Sequence, residues 1–131
     1  MSLVAPFGAV EGGPRLILRI EGAALAIGAA FFYWRAGGSW ILFAVLFLAP
    51  DLSFLAYLAS ARLGAIAYNA LHSTIAPLAL LTIGAWTERN LAETIALIWL
   101  AHIGFDRALG YGLKYAAAFN ATHLGPIGRA P

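Results

Sequence analysis

Cysteine is absent from the 131-residue sequence, which excludes disulfides, thiolate metal ligands and a cysteine nucleophile. Any metal must therefore be held by nitrogen and oxygen. Charge is scarce: 11% of the residues are Asp, Glu, Lys or Arg, against ~25% in an ordinary soluble domain. The balance is 8 Lys/Arg to 6 Asp/Glu, a net charge of +2, too small for the dense basic face of a nucleic-acid module. What abounds is apolar surface, with 62% hydrophobic residues and a mean hydropathy of +0.82. A disordered chain needs the opposite composition, and a soluble fold this small would leave much of that surface in water. The composition points to an integral membrane protein.

A bilayer core of ~30 Å needs about 20 apolar helical residues. Four stretches qualify: Leu16–Trp34, Trp40–Ser60, Ala65–Trp86 and Leu91–Gly110. The joints Arg35–Ser39, Ala61–Gly64 and Thr87–Asn90 are short enough to make sequential spans antiparallel neighbours. The expected fold is all-α, a single-domain antiparallel four-transmembrane-helix bundle with a C-terminal tail, residues 111–131. The first 14 residues carry no Lys or Arg, so span one is expected to remain as an anchor rather than act as a cleaved signal peptide. Arg15, Arg19, Arg62, Arg107, Lys114 and Arg129 fall on one side, against Arg35 and Arg89 on the other. The positive-inside rule then places both termini in the cytoplasm. Trp34, Trp40 and Trp86 sit at span ends, where indoles favour the interface. The row Gly22, Ala26, Ala29, Ala30 lets helices approach closely, within the bundle or across a homo-oligomer.

Ionisable groups inside a span are costly, and here they converge. At 1.5 Å per residue, Glu21, Asn69 and Asp106 lie roughly 6–8 Å from the cytoplasmic end of their spans. His72, His102 and Asp51 lie at about 10–14 Å. His102 and Asp106 share a helix face at i, i+4, as do Tyr68 and His72, and Asn69 and His72 at i, i+3. Asp51 follows Pro50, which is expected to kink or break its helix and to open a polar cavity beside the acid.

Two His and two Asp can serve three chemistries. Asp51, His72, His102 and Asp106 suit zinc, manganese or iron, and an open coordination position would activate water. Glu21 or Asp106 would then work in acid–base catalysis, with Asn69 orienting ligands. Carboxylate–imidazole chains also suit a proton or ion path. Haem between His72 and His102 suits so polar a pocket least. Against all three stands simple gluing of helices by buried polar pairs, each contributing ~0.6 kcal/mol.

In the tail, Tyr111, Tyr115 and Phe119 recur every four residues, which suggests a short interfacial helix. Thr122–Gly125, including His123, would fold back as a lid under the pocket mouth, with His123 otherwise a plain surface histidine. Arg107 and Lys114 are expected at the headgroups, either holding a lipid phosphate or snorkelling there.

The runs Leu48-Ala-Pro-Asp-Leu-Ser53, Gly64-Ala-Ile-Ala-Tyr-Asn-Ala-Leu-His72, Ile98 through Tyr115, and Thr122-His-Leu-Gly125 resemble the bacterial membrane family of domain of unknown function DUF4260. The likeness runs from Arg15 to Gly128. It implies a bacterial membrane setting and carries no activity. Where that family's pattern commonly has a proline and further charges, this chain has Ala116–Ala121, which bears on the lid. The His/Asp placement alone is also similar to small membrane proteins labelled metal-dependent hydrolases.

The functional expectation is a bacterial inner-membrane protein with a His/Asp pocket in its cytoplasmic half. It would be a metal-dependent, hydrolase-like enzyme acting on a lipid-like substrate, with Tyr68, Asn69, Arg107 and His123 as binding residues. The alternatives are a proton- or ion-conducting protein or small carrier using the same residues, and an accessory subunit of a larger membrane complex. Phe43, Val45, Leu80 and Leu81 offer a conducting path no polar steps.

Overall fold

A computed structural model describes residues 9–114 and 122–125. Those residues are helical apart from short joints and one isolated bridge between Lys114 and Thr122. The elements run α1 (Gly12–Arg35), α2 (Trp40–Phe47), a 3₁₀ helix (Ala49–Leu58), α3 (Ala61–His72), α4 (Ile75–Trp86) and α5 (Asn90–Ala108). Three stretches are long and apolar enough to cross a membrane: Gly12–Arg35, Trp40–Leu58 and Ala61–Trp86. Their outer faces expose Ile27, Ile41, Leu58 and Ile75, which matches lipid and not water as the surrounding solvent.

The joints carry the chemistry that stops and restarts helices. Gly37 turns the chain after α1 at φ +73°, a conformation that glycine adopts without strain. Ser39 and Ser60 then cap α2 and α3, their hydroxyls accepting from Leu42 N at 3.3 Å and Leu63 N at 3.0 Å. Gly110, at φ +88°, closes α5, with Tyr111 N donating to the Asp106 carbonyl at 2.8 Å.

Helix α5 is the axis of the bundle, packing against α1, α2 and α4. Its residues Ala96–Ile98 and Leu100–Gly104 are buried. The α1–α5 crossing is set by glycine on both sides. A Cβ at Gly104 would fall 2.5 Å from Ala26 N and 2.6 Å from the Gly22 carbonyl. Gly22 and Ala26 of the small-residue row thus face this crossing.

Two expected spans are broken. Pro50 cannot donate to the carbonyl four residues back, and the chain continues from α2 as a 3₁₀ helix of 10 residues, long for that geometry. Span three was expected to be continuous over 65–86; it starts at Ala61 and breaks at Ser73–Thr74. Pro77, in the first turn of α4, leaves the Ser73 carbonyl without its helical donor, and Ser73 is extended at ψ 148°. The expected interfacial helix is not found at its start: Tyr111–Leu113 are irregular, and Lys114 bridges to Thr122. Tyr115 and Phe119 lie outside the described residues.

The 3₁₀ helix packs on α3 by matched spacing. Three residues of 3₁₀ helix and four of α-helix both advance about 6 Å. Asp51, Phe54 and Tyr57 therefore meet His72, Tyr68 and Gly64 as successive rungs. Asp51 Oδ1 is 3.3 Å from His72 Nε2, Phe54 stacks on Tyr68 at 5.4 Å, and the Tyr57 ring occupies the place of a Cβ on Gly64.

Replacing Gly104 by Ala forces backbone apart at the α1–α5 crossing and should cost about 1–3 kcal/mol. Gly28→Ala, where a Cβ meets nothing within 4 Å, should stay within ~0.5 kcal/mol of the parent. Unfolding of both variants in detergent measures the contrast, and equal effects would remove the crossing from its central role.

Candidate metal centre

His72 ends α3 and His102 lies in α5, four residues before Asp106. Asp51 enters from the 3₁₀ helix. Their polar atoms converge. His72 Nε2 and His102 Nε2 are 3.1 Å apart. Asp51 Oδ1 is 3.3 Å from each of them, and Asp106 Oδ2 is 3.5 Å from His72 Nε2 and 3.2 Å from His102 Nε2. All four ligand atoms lie within 4.8 Å of one another.

Those separations have a physical meaning. Four N or O donors around one ion at ~2.0–2.1 Å stand about 3.3 Å apart along the edges of a tetrahedron. The five measured edges, 3.1–3.5 Å, bracket that value. Two carboxylates also cancel the charge of a divalent cation.

Protonation points the same way. The Tyr68 carbonyl can only accept, so His72 Nδ1, 2.8 Å away, carries the proton and donates it. A neutral His72 therefore turns the bare lone pair of Nε2 toward the centre, where it can accept a hydrogen bond from His102 Nε2 or ligate a cation. Fixing the ligating nitrogen through the other one is the usual outer-shell device of metal sites. His102 Nδ1 is buried without a hydrogen-bond partner among the described residues, and its ring packs edge-on to Phe47 at 5.1 Å.

The break after His72 is held from α5. Trp99 Nε1 donates to the Leu71 carbonyl at 2.6 Å and Arg107 Nη2 to the His72 carbonyl at 3.2 Å, answering groups that a helix end leaves open. The centre opens at Asp51. Its side chain is 36% exposed, against 14% for Asp106 and 2–3% for the imidazoles.

The other expected site residues separate. Glu21 is exposed on α1 and stands outside the group of four. Tyr68 stacks on His72 with centroids 3.7 Å apart. Asn69 does not touch the ligands. It clasps the Lys114 backbone, Nδ2 donating to the carbonyl at 2.8 Å and Oδ1 accepting from the amide at 2.6 Å. Arg107 is half-buried and donates to the His72 carbonyl.

Lys114 is the largest departure from expectation. It does not snorkel: it is 3% exposed, with Nζ 4.6 Å from the Tyr68 ring centre and 5.8 Å from that of Phe54. Burial pushes its ammonium down to about 8, with Asp106 and Asp51 pulling the other way. Thr122–Gly125 does fold back, but its contacts are with the chain termini: His123 N donates to the Leu113 carbonyl and Val10 N to the His123 carbonyl, both at 2.9 Å. Arg15 Nε donates to the Leu124 carbonyl at 2.6 Å, and the Thr122 hydroxyl to the Gly125 carbonyl. His123 is half-buried, accepting from Leu113 N at 2.8 Å through Nδ1. Burial and then the charge of Arg107 hold it below the ordinary histidine range. Phe54 and Trp99, both needed to build this end of the bundle, carry no signal in the sequence beyond being aromatic.

The chain belongs to the family described as Domain of unknown function (DUF4260), matched over residues 15–127. No curated protein and no solved structure matches it.

The buried ammonium fixes a pH dependence. Between pH 8 and the ordinary lysine value of 10.5 the unfolded chain binds the Lys114 proton more tightly than the folded one. Stability should therefore rise with pH through that window. Thermal unfolding in detergent at stepped pH should show the rise in the parent and lose it in Lys114→Met. Parallel curves would mean that the amine is solvated.

Proposed function

We propose that this protein is a four-span protein of the bacterial inner membrane with both termini cytoplasmic, and that Asp51, His72, His102 and Asp106 hold one divalent ion for hydrolase-like chemistry on a lipid-like substrate. The observation that carries this reading is the set of donor separations at tetrahedral edge length, with the His72 tautomer fixed from outside the centre. Zinc, manganese and iron all accept two imidazoles and two carboxylates.

The four-span topology is supported by α5. Its 19 residues extend roughly 28 Å, near the ~30 Å of the hydrocarbon core. Its polar Glu93, Asp106 and Arg107 lie toward its ends, and the other helices shield its middle. The basic residues favour the end that carries the centre as the cytoplasmic one.

A divalent ion at this position supplies Lewis acidity toward a bound ester and a lowered pKa for water. The chain's own residues do the rest. The imidazoles are fixed in place, and Asp51 faces the approach. A carboxylate that ligates through one oxygen keeps a second to take or return a proton, which gives Asp106 the acid–base role that the exposed Glu21 is badly placed for. A transmembrane ion path is less well supported. Beyond the centre the core is Ala29, Tyr33, Leu97, Ile98, Leu100 and Ala101, with Phe43, Phe47 and Leu81 packed against it.

Protein purified in mild detergent without chelator should contain about one zinc, manganese or iron per chain by elemental mass spectrometry. His102→Gln and Asp106→Asn remove ligands and should each lower metal affinity by more than the ~10–100-fold typical of losing an outer-shell partner, with helical circular dichroism retained. A metal-free parent that also takes up none of the three on titration would sink the reading.

A further inference from the structure

A cavity of about 200 Å³ adjoins the centre, and its walls come from the chain segments that lead into the ligands. Leu46, Ala49 and Pro50 precede Asp51, and Leu71 precedes His72. Ile95, Ile98 and Trp99 precede His102, with Ile98 one turn before it on the same helix face. In the four-span topology the segments before Asp51 and before His102 run in the same direction. The cavity therefore lies on the inner side of the centre, toward the middle of the bilayer.

The walls decide what can fill it. The lining side chains are apolar except for the Trp99 indole N–H, and that donor is spent on the Leu71 carbonyl at 2.6 Å. A buried water needs about two to four polar partners, which these walls do not offer, and a charged or hydroxylated group would be costlier still. Hydrocarbon is the occupant that needs no partner. An apolar cavity of about 150 Å³ takes up benzene, so this one has room for roughly six to eight carbons of an alkyl chain.

The junction between cavity and centre sets what that chain carries. Pro50 and Leu71 stand one residue before Asp51 and His72, about 3.8 Å along the backbone. A chain in the cavity thus starts at the centre itself, with no length left for an intervening glycerol. In a lipid ester or amide the group attached directly to the chain is the acyl carbonyl. Resting on the metal reading above, we propose that the loaded centre takes the acyl group of a lipid ester or amide. The carbonyl oxygen sits at the ion, and the carbons that follow lie in the cavity beside Trp99. Hydrolysis breaks the bond from the carbonyl carbon to the departing alcohol or amine. Water gives its hydroxyl to that carbon and its proton, carried by Asp106, to the leaving group, with no change of oxidation state.

Trp99 reports on the cavity from its wall. With Trp34, Trp40 and Trp86 replaced by Phe, it is the one indole of the chain. The stripped full-length protein is first titrated with zinc, manganese and ferrous iron, which tests the centre on its own. In phosphatidylcholine nanodiscs the loaded and stripped forms are then titrated with palmitohydroxamate, whose head chelates a metal in place of the acyl carbonyl. The probe carries bromine either at its fifth carbon or near its methyl end. Bromine at the fifth carbon should quench Trp99 at about tenfold lower concentration in the loaded form than in the stripped one, the scale of one charge-assisted contact. Bromine near the methyl end, carried past the cavity into the bilayer, should show no such gain. Ala49→Phe and Ile95→Phe fill the cavity from different walls, and each should bind metal as the parent does and lose the gain.

Failure to bind any of the ions removes both the metal reading and this one. Metal binding with equal quenching of the loaded and stripped forms removes this one alone, because the cavity then holds a chain without reference to the centre. An equal gain from both bromine positions, or a gain that survives in the filled variants, also overturns it. Folding of each variant is checked by its circular dichroism, and Ile95→Phe keeps the test decisive if Ala49→Phe unfolds.

Discussion

Two imidazole nitrogens 3.1 Å apart, flanked by two carboxylate oxygens within 3.5 Å, are a state that an apolar bundle cannot reach by default. The helices around them are shaped to hold it. Two imidazoles and two carboxylates are crowded together there, and desolvation would scatter them if the rings were free to turn. Neither is free. His72 is pinned by the Tyr68 carbonyl and by the stacked Tyr68 ring. His102 is pinned by burial in α5 and by Phe47.

The departures from regular helix make this possible. A continuous α-helix through Pro50 would rotate Asp51 and its followers by about 100° per residue. The 3₁₀ continuation rotates them by about 120°, which brings Asp51, Phe54 and Tyr57 to a single face. The break after His72 leaves carbonyls that lipid cannot solvate, and α5 answers them with Trp99 and Arg107. The irregular backbone is thus confined to places where protein covers it. Each break delivers a ligand or a residue that supports one.

Much of this was legible in the sequence, because apolar runs and basic flanks are one-dimensional signals. The hydrophobic stretches, the short joints and the break at Pro50 all follow from residues read in order. The convergence of Asp51, His72, His102 and Asp106 follows from depth along antiparallel neighbours. The break at Ser73–Thr74 has its signal in Pro77, which removes the donor that a continuous span would need. Lys114 had none. Its burial depends on Asn69 reaching across 45 residues to clasp its backbone, and a lysine after a span end is otherwise a surface cation. Glu21 shows the converse: depth alone suggested the site, and the rotation of α1 turned it away.

The matched rungs of the 3₁₀ helix and α3 divide the centre in an instructive way. Asp51 and His72 sit on one hairpin joined by the short turn at Ala59–Ser60, while His102 and Asp106 both come from α5, the last helix of the bundle. A chain emerging from the ribosome therefore carries an early half-site of two donors, and the other two arrive together when α5 docks. That half-site offers an ion two donors where the finished group offers four. An ion held by all four would tie the last of the described helices to the earlier hairpin, making the order of chain synthesis the order in which its donors arrive.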